Sequence, residues 1–375
     1  MAKRQQAGSP RSLFFTMFLL LAGICSGQET VEKEPLEYHD GKDFLLEGTS
    51  FPDSVRVRYY DRFPGYAKEM VHPHVWYLSR CAAGLSVRFR TNSPRLGVKW
   101  EILRDRQENH MPATGIKGLD LYSLVDNEWV YINTAKPSGV ENKYLLTDAA
   151  EGSMREYRLY LPLYDGLEKL EIGISPGAVI ERPQQEEWSM KPIVFYGTSI
   201  TQGGCASRPG MAYSNIISRK LNVECMNLGF AGNGKMEQGV ARLMSEIDAS
   251  MYVIDCIGNM TVAQVHQNVS PLVEILRSKH PHTPIIFVES LMFERTFMND
   301  SLRNTVVAKN KALKQEYVEL ARNRDGHIYY IGVRHATGKD REGTVDGIHL
   351  NDLGFLRFSE YLIEEWNDLG VIKSK

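Results

Sequence analysis

The first half of the chain has an alternating pattern of apolar and polar residues. From about residue 44 to residue 175, apolar side chains recur at every second position. Examples are Val87 and Phe89; Leu96, Val98, Trp100 and Ile102; Tyr157, Leu159, Leu161 and Leu163; and Leu170, Ile172 and Ile174. A period of two, interrupted by turn-forming residues, indicates half-buried antiparallel strands. We therefore predict a β-sandwich, of the jelly-roll type, in this half.

The second half has a different pattern, which begins after a polar, proline-containing connector at residues 181–192. Short, continuous apolar runs alternate with amphipathic stretches, including a long helix over 306–322 and a final helix through 358–366. The apolar runs are residues 193–196, 226–230, 251–257, 285–289 and 328–331. Strands that are apolar on both faces predict a parallel sheet with helices on both sides. We place the sandwich at 28–185 and the α/β domain at 186–375.

The first residues have the organisation of a secretory signal peptide. Three basic residues, Lys3, Arg4 and Arg11, precede an apolar run over 13–24, and a polar stretch follows Gly27. Twelve apolar residues are too few to span a bilayer as a helix, and no other run approaches about 18. We predict cleavage after Gly27 and export to the periplasm or the medium. Lipid attachment at Cys25 is the alternative, but the bulky Ile24 disfavours it.

Composition and charge exclude several classes of partner and cofactor. The 375 residues carry 44 basic and 46 acidic side chains, so nothing indicates binding to nucleic acid. The cysteines that follow the signal peptide are Cys81, Cys205, Cys225 and Cys256, and their spacing matches no zinc pattern. Cys225 and Cys256 lie in apolar runs and are expected to be buried. The pair His72-Pro73-His74 is interpreted as a rigid loop, so no metal site is predicted.

Polar and glycine residues follow several of the predicted parallel strands. They are residues 197–201 (GTSIT), residues 229–233 (GFAGN), Gly258 with Asn259, and residues 346–349 (DGIH). Taken singly, these signals are weak: a serine beside glycine is usually a helix N-cap, and Asn259 also lies in a glycosylation sequon. The carboxyl ends of parallel strands meet at one edge of a sheet, however, so these residues are expected to converge there.

The order of these segments resembles the SGNH (GDSL-like) hydrolase superfamily. GTSIT lies where that family has its GDSL block, residues 227–232 (NLGFAG) match the second block, residues 257–259 (IGN) the third, and DGIH the fifth. Two positions differ, because Thr198 and Met260 stand where aspartate is common. The resemblance covers about 185 residues and implies a flavodoxin-like α/β/α fold. If the strand order is 2-1-3-4-5, Cys225 and Cys256 are too far apart for a disulfide.

The first half carries a second resemblance. Residues 118–122 (GLDLY) are similar to the GxDLY motif of the β-sandwich that precedes the hydrolase domain in one exported subgroup. Residues 203–210 (GGCASRPG) are similar to that subgroup's extension of the serine block. Within this extension, Arg208 is a candidate for the substrate pocket; the alternative is a structural role, either capping a helix or pairing with a carboxylate.

The fifth and first blocks provide the groups for nucleophilic catalysis. A serine hydroxyl needs an adjacent base, and His349 can accept the proton of Ser199 while Asp346 holds the other ring nitrogen. His335 is the second candidate for the base. Cys205 is a poorer candidate for the nucleophile, since nothing in the sequence places a base beside it.

The resemblance also implies an oxyanion hole and an activity. The hole is made by the backbone N–H groups of Ser199 and Gly232 and by the side-chain amide of Asn259. The implied activity is hydrolysis of acetyl esters of sugars or polysaccharides, which requires no cofactor. The alternatives are a lipase, thioesterase or lysophospholipase with the same triad, or a noncatalytic carbohydrate-binding protein. Trp76 and Trp129 are the type of residue that binds sugars, whereas Trp100 is expected in the core.

Overall fold

The computed structural model describes residues 35–148, 150–184, 188–322 and 325–372. The predicted signal peptide and the predicted domain boundary at residue 185 lie outside these residues, so both remain predictions. Pro35 and the residues after it belong to one compact unit.

The described part of the first half consists mainly of antiparallel strands. The strands are β1 (Glu37–Asp40), β2 (Leu45–Glu47), β3 (Ser86–Thr91), β4 (Leu96–Ile102), β5 (Leu119–Val125), β6 (Glu128–Ala135), β7 (Glu141–Thr147), β8 (Arg155–Tyr160), β9 (Leu167–Ile174) and β10 (Ile180–Glu181). Two short helices, α1 (Pro73–Ser79) and α2 (Ala113–Lys117), lie between strands. One sheet has the order β1-β9-β4-β7, and the other β10-β3-β8-β5-β6 with β2 beside β3.

The alternating apolar residues form the core between the two sheets. Trp100 and Ile172 of the first sheet and Val87, Leu121 and Leu159 of the second belong to one buried cluster. Trp100 is 2% exposed, and its indole N–H donates to the carbonyl of Lys117. The predicted antiparallel sandwich is therefore confirmed, as is the core position of Trp100; its jelly-roll topology remains a prediction.

Part of the polar face of the second sheet is buried. Arg88, Asp120 and Arg158 are each less than 7% exposed. This face packs against the second half of the chain: Arg208 binds Asp120, and the Arg158 guanidinium lies 4.9 Å from the ring centroid of Trp188. Sequence alternation distinguishes an apolar from a polar face, but it does not reveal that another domain covers the polar one.

The described part of the second half is a parallel sheet between helices. Its strands are β11 (Ile193–Gly197), β12 (Cys225–Gly229), β13 (Met251–Asp255), β14 (Ile285–Val288) and β15 (Ile328–Ile331). Its helices are α3 (Ser199–Gln202), α4 (Tyr213–Leu221), α5 (Gln238–Met244), α6 (Val262–Arg277), α7 (Asp300–Arg322) and α8 (Asp352–Asp368). The order β12-β11-β13-β14-β15 is the expected 2-1-3-4-5, and a buried apolar cluster covers each face.

This strand order separates two of the cysteines. Cys225 and Cys256 lie on either side of β11, and the four cysteines of the described residues are buried and free. Among the helices of residues 35–148, 150–184, 188–322 and 325–372, none has the length and apolar character to cross a bilayer.

Candidate active site

The register of the parallel sheet brings three of the sequence motifs to one level. Gly197 pairs with Gly229 on one side and with Asp255 on the other, so the loops that follow β11, β12 and β13 begin side by side. The loops are packed tightly: a Cβ at Gly234 would lie 1.8 Å from the carbonyl oxygen of Gly197. Only glycine permits this approach, which holds the second motif against the first.

Ser199 is the first residue of α3, immediately after β11. Thr198 caps this helix: its hydroxyl accepts from the N–H of Ile200 at 3.2 Å, while the Thr201 hydroxyl accepts from the N–H of Thr198 at 3.1 Å. Threonine at 198 thus performs the capping task for which aspartate is equally suited. The sharp turn from strand to helix leaves the side chain of Ser199 at the carboxyl edge of the sheet.

Asp346, His349 and Ser199 form a hydrogen-bonded row. One carboxylate oxygen of Asp346 lies 2.8 Å from Nδ1 of His349, and Nε2 of His349 lies 3.0 Å from Oγ of Ser199. The other oxygen of Asp346 accepts from the backbone N–H groups of Ile348 and His349 at 3.0 and 2.7 Å. These two bonds close a tight turn over residues 346–349 and fix the carboxylate. The side chains of Asp346 and His349, three residues apart, therefore lie on the same side of this turn.

The charge of Asp346 is held in place by these donors. Partial burial raises the pKa of this carboxyl. Hydrogen bonds from the N–H groups of His349 and Ile348 and from the His349 ring lower it by more, so that the pKa falls from the ordinary 3.8 to about 2. Asp346 is therefore an anion at neutral pH. An anion at Nδ1 keeps the proton of the imidazole there, which leaves the lone pair of Nε2 directed at Ser199.

The other two residues assigned to the oxyanion hole follow the neighbouring strands. Gly232 lies in the turn after β12 with φ of 69°, and a Cβ at this position would have no other atom within 4 Å. Asn259 ends a short 3₁₀ turn after β13, and its amide donates to the carbonyl of Phe230 at 3.4 Å. Both residues belong to loops beside α3, as the order of the motifs predicted.

The segment after α3 connects the Ser199 loop to the His349 loop. The N–H of Cys205 donates to the carbonyl of Leu350 at 3.0 Å, and the N–H of Ser207 donates to the carboxylate of Asp352 at 2.9 Å. These bonds fix the residues that directly follow His349. The segment that resembles a family extension therefore helps to hold the imidazole opposite Ser199.

Two residues of the sandwich form hydrogen bonds with α3. The hydroxyl of Tyr164 donates to the carbonyl of Ser199 at 3.1 Å, and the amide of Gln202 donates to the carbonyl of Leu163 at 3.1 Å. On its other side, Gln202 accepts from the N–H of Ala231 at 3.0 Å and so holds the Gly232 turn. The helix that carries the serine is thus fixed by both halves of the chain.

Arg208 pairs with the GxDLY segment. Its guanidinium donates to the carboxylate of Asp120 at 2.8 Å and to the hydroxyl of Tyr122 at 2.6 Å, and it lies 3.9 Å from the ring centroid of Tyr131. The fully buried Asp120 also accepts from the N–H of Gly210 and from the Thr134 hydroxyl. Of the two alternatives for Arg208, this geometry is that of the carboxylate pairing. It also gives the aspartate and tyrosine of the motif a structural task, which is to join the two halves.

His110 is a neighbour of the row that the sequence did not indicate. It lies in the sandwich loop between β4 and α2, and its ring centroid is 5.2 Å from that of His349. No motif surrounds it, so only the fold could reveal this proximity.

The second candidate base, His335, is exposed in the turn after β15. His266 and His280 contact Glu316 and the carbonyl of Ser245 instead.

The structure changes one argument against Cys205 as the nucleophile, which was that the sequence places no base beside it. A base does lie beside it, because ring nitrogens of His110 and His349 are within 4.8 Å of its Sγ. The thiol is nevertheless only 3% exposed, and burial, together with the carboxylates of Asp346 and Glu108, raises its pKa to about 12. Since the thiolate is the nucleophilic form, Ser199 remains the better candidate.

Asp255 is a buried carboxyl beneath α3 that the sequence analysis did not identify. Its carboxylate accepts from the hydroxyls of Thr201 and Tyr213 at 3.1 and 3.2 Å. Burial, opposed by these two donors, raises its pKa from the ordinary 3.8 to about 7. Between these pH values the folded protein retains a proton that the unfolded chain releases, so the free energy of unfolding falls as the pH rises from about 4 to about 7.

Replacing Asp255 with asparagine should therefore flatten the dependence of stability on pH. The amide oxygen of asparagine can still accept from Thr201 and Tyr213, but it does not titrate. Urea unfolding at pH 4.5 and 7.5 measures how much the free energy of unfolding falls between these pH values. This fall is expected to be smaller in the variant than in wild type, by an amount on the order of a few kcal/mol at most. Equal losses in wild type and Asp255→Asn would contradict the assigned protonation.

Fold and site together define an ester-bond hydrolase of the SGNH type, and the comparisons with known proteins agree. The GDSL-like lipase/acylhydrolase family model matches residues 190–365, and the GxDLY model, which describes the N-terminus of SGNH-hydrolase-type esterases, matches residues 36–180. The chain belongs to the GDSL-like lipase/acylhydrolase family. No curated protein shows a significant match.

Several solved structures are similar to this chain over about nine-tenths of its length. A protein from Bacteroides ovatus assigned as a GDSL-like lipase is 36% identical over 91% of this chain and 99% of its own, with a TM-score of 0.86. A salicylyl-acyltransferase from a tetracycline biosynthetic pathway is 20% identical over 90% and 98%, with a TM-score of 0.73. An acetyl xylan esterase from Butyrivibrio proteoclasticus is 12% identical over 90% and 100%, with a TM-score of 0.55. The last two indicate a shared fold only.

Proposed function

We propose that this protein is an exported serine esterase that removes acetyl groups from O-acetylated sugars or polysaccharides, with Ser199 as nucleophile, His349 as base and Asp346 as the group that orients the base. The observation that carries this proposal is the hydrogen-bonded row of the three side chains, with distances of 2.8 and 3.0 Å.

The reaction follows from the positions of these groups. Oγ of Ser199 attacks the ester carbonyl as Nε2 of His349 takes its proton, and the imidazolium is stabilised by the Asp346 carboxylate. The oxyanion of the tetrahedral intermediate is bound by the N–H groups of Ser199 and Gly232 and by the amide of Asn259. The intermediate then expels the sugar alcohol, which takes the proton from His349. Water hydrolyses the acetyl-serine by the same steps, and acetate leaves.

Two observations favour an acetylated carbohydrate as the substrate. The signal-peptide pattern of residues 1–27 directs the protein to material outside the cytoplasm. Fold similarity to an acetyl xylan esterase and to a carbohydrate esterase from Clostridium thermocellum, whose structure was solved with cellohexaose, is consistent with sugar substrates. The half-buried Trp76 and Trp129 of the sandwich remain candidates for contact with a sugar face.

A series of p-nitrophenyl esters tests the acyl group, and acetylated glycans test the alcohol. We expect kcat/KM to be highest for acetate and to fall steadily toward decanoate, and we expect release of acetate from at least one acetylated polysaccharide. The Ser199→Ala variant is the control for hydrolysis by any other route. A preference for decanoate would instead identify a lipase, and transfer of the acyl group to an added alcohol in preference to water would identify an acyltransferase.

A further inference from the structure

The surroundings of His349 contain two further side chains able to bind a metal, His110 and Cys205, that the proposed hydrolysis does not use. Ring nitrogens of His110 and His349 and Sγ of Cys205 all lie within 4.8 Å of one another. The three residues come from different parts of the fold: the sandwich loop before α2, the segment after α3, and the loop before α8. We propose that His110, Cys205 and His349 form a binding site for Zn²⁺ and that its occupation stops hydrolysis, an inference that rests on the proposed role of His349.

The donor set is that of a zinc site with three protein ligands. Zn²⁺ binds two imidazole nitrogens and one thiolate in tetrahedral geometry, with bond lengths of about 2.0–2.3 Å, so its ligand atoms are roughly 3.4–3.7 Å apart. The ligand atoms lie within 4.8 Å of one another, which exceeds this separation by about 1 Å, so binding requires the side chains to rotate toward the metal. The fourth position is left for water or for the hydroxyl of Ser199.

The neighbouring groups favour a cation at this position. Asp346 binds Nδ1 of His349, and a carboxylate behind an imidazole is the arrangement that orients histidine ligands in zinc sites. His110 is held in a similar way, since its Nδ1 lies 3.1 Å from the amide oxygen of Asn109. The carboxylates of Asp346 and Glu108 also interact electrostatically with Cys205. A cation bound among these groups is attracted by both carboxylates, although Glu108 also binds Arg106.

Binding of Zn²⁺ and inhibition of hydrolysis both involve the lone pair on one ring nitrogen of His349. Since Nδ1 of His349 is engaged with Asp346, the nitrogen available to a metal is Nε2, the atom that lies 3.0 Å from Oγ of Ser199. Zn²⁺ at Nε2 takes the lone pair that would accept the serine proton. The Cys205 thiol releases its proton to water as the S–Zn bond forms, so binding liberates one proton and involves no oxidation or reduction.

The test combines inhibition with a direct spectroscopic probe. The protein is first freed of metal by dialysis against a chelator, and ester hydrolysis is measured with increasing Zn²⁺. We expect loss of activity at one Zn²⁺ per chain and recovery on addition of chelator. The variants His110→Ala and Cys205→Ser should each require at least about tenfold more Zn²⁺ for the same inhibition, relative to their own uninhibited rates.

The control variant addresses the other close pair of histidines. His72 and His74 stack with ring centroids 5.5 Å apart on the surface of the sandwich, and such a pair can bind metal weakly. His74→Ala should leave the inhibition by Zn²⁺ unchanged. Equal sensitivity of His110→Ala, Cys205→Ser and wild type would overturn the proposal.

Co²⁺ provides a measurement that is independent of turnover. Binding of Co²⁺ to the Ser199→Ala variant should produce a thiolate-to-cobalt charge-transfer band that disappears in Ser199→Ala combined with Cys205→Ser. This band would persist even if Ser199 were not the nucleophile, so failure of the metal site and failure of the proposed hydrolysis are separable. Absence of the band from both the wild type and Ser199→Ala, even with a saturating excess of Co²⁺, would show that Cys205 is not a ligand.

Discussion

Replacement of Ser199 by alanine should lower kcat for ester hydrolysis roughly 10⁶-fold, the loss typical of removing the nucleophile of a serine triad. The fold should remain intact, because Ser199 is the half-buried first residue of α3 and its hydroxyl bonds only to His349 in the described structure. Alanine is also a good residue for a helix. Hydrolysis of p-nitrophenyl acetate and the thermal unfolding midpoint, measured side by side, check both statements.

Two further variants make this result specific. Asp346→Asn keeps the size of the side chain but removes the anion from Nδ1, so a loss of roughly 10³- to 10⁴-fold is expected. Ser153→Ala, at an exposed position in the sandwich, should change neither turnover nor stability. Turnover of Ser199→Ala within about tenfold of wild type would exclude Ser199 as the nucleophile.

Replacement of Arg208 by methionine should destabilise the protein by about 3–5 kcal/mol, because it removes the cation that faces a buried carboxylate. Asp120 is fully buried, and burial raises its pKa while Arg208 opposes that rise. Without the guanidinium, folding must either bury an unpaired anion or protonate it. Urea unfolding at constant pH measures the cost.

A surface pair and a double variant serve as controls for this prediction. Arg322→Met breaks a pair with Glu319 in which the side chains are 72% and 67% exposed, so a change below about 1 kcal/mol is expected. The double variant Asp120→Leu with Arg208→Met should be more stable than Arg208→Met alone, since it removes the unpaired charge as well. Unchanged stability of Arg208→Met accompanied by a raised KM would instead favour contact between Arg208 and substrate.

Local pattern predicted the fold class, and together with the resemblance to the SGNH superfamily it predicted the Ser–His–Asp row. Alternation and continuous apolar runs report which faces are buried, and the carboxyl ends of parallel strands necessarily share an edge, so Ser199, Asn259 and Asp346 with His349 could be grouped before the structure was known. Helix ends were less predictable. The helices α7 and α8 begin at Asp300 and Asp352, six residues before the positions that the apolar pattern indicated, because their first turns are stabilised by polar groups.

Contacts between distant segments were not predictable from one sequence. The pairing of Arg208 with Asp120 spans 88 residues. The sequence analysis left open whether Arg208 has a substrate role or a structural one, and it named no partner. The burial of Arg88 and Arg158 on the polar face of a sheet depends on the domain that covers it. His110 lies beside His349 without any local motif, and the same is true of its approach to Cys205. Spacing rules detect metal ligands only when they are close in sequence.

The central claim is that Ser199 is the nucleophile activated by His349, and covalent labelling tests it most directly. A fluorophosphonate reacts with a serine that is deprotonated by a neighbouring base, and the mass of the intact protein counts the adducts. The account predicts one adduct per chain, located on the peptide that contains Ser199, and none in Ser199→Ala or His349→Ala. An adduct on another residue, or undiminished labelling of the Ser199→Ala variant, would contradict it.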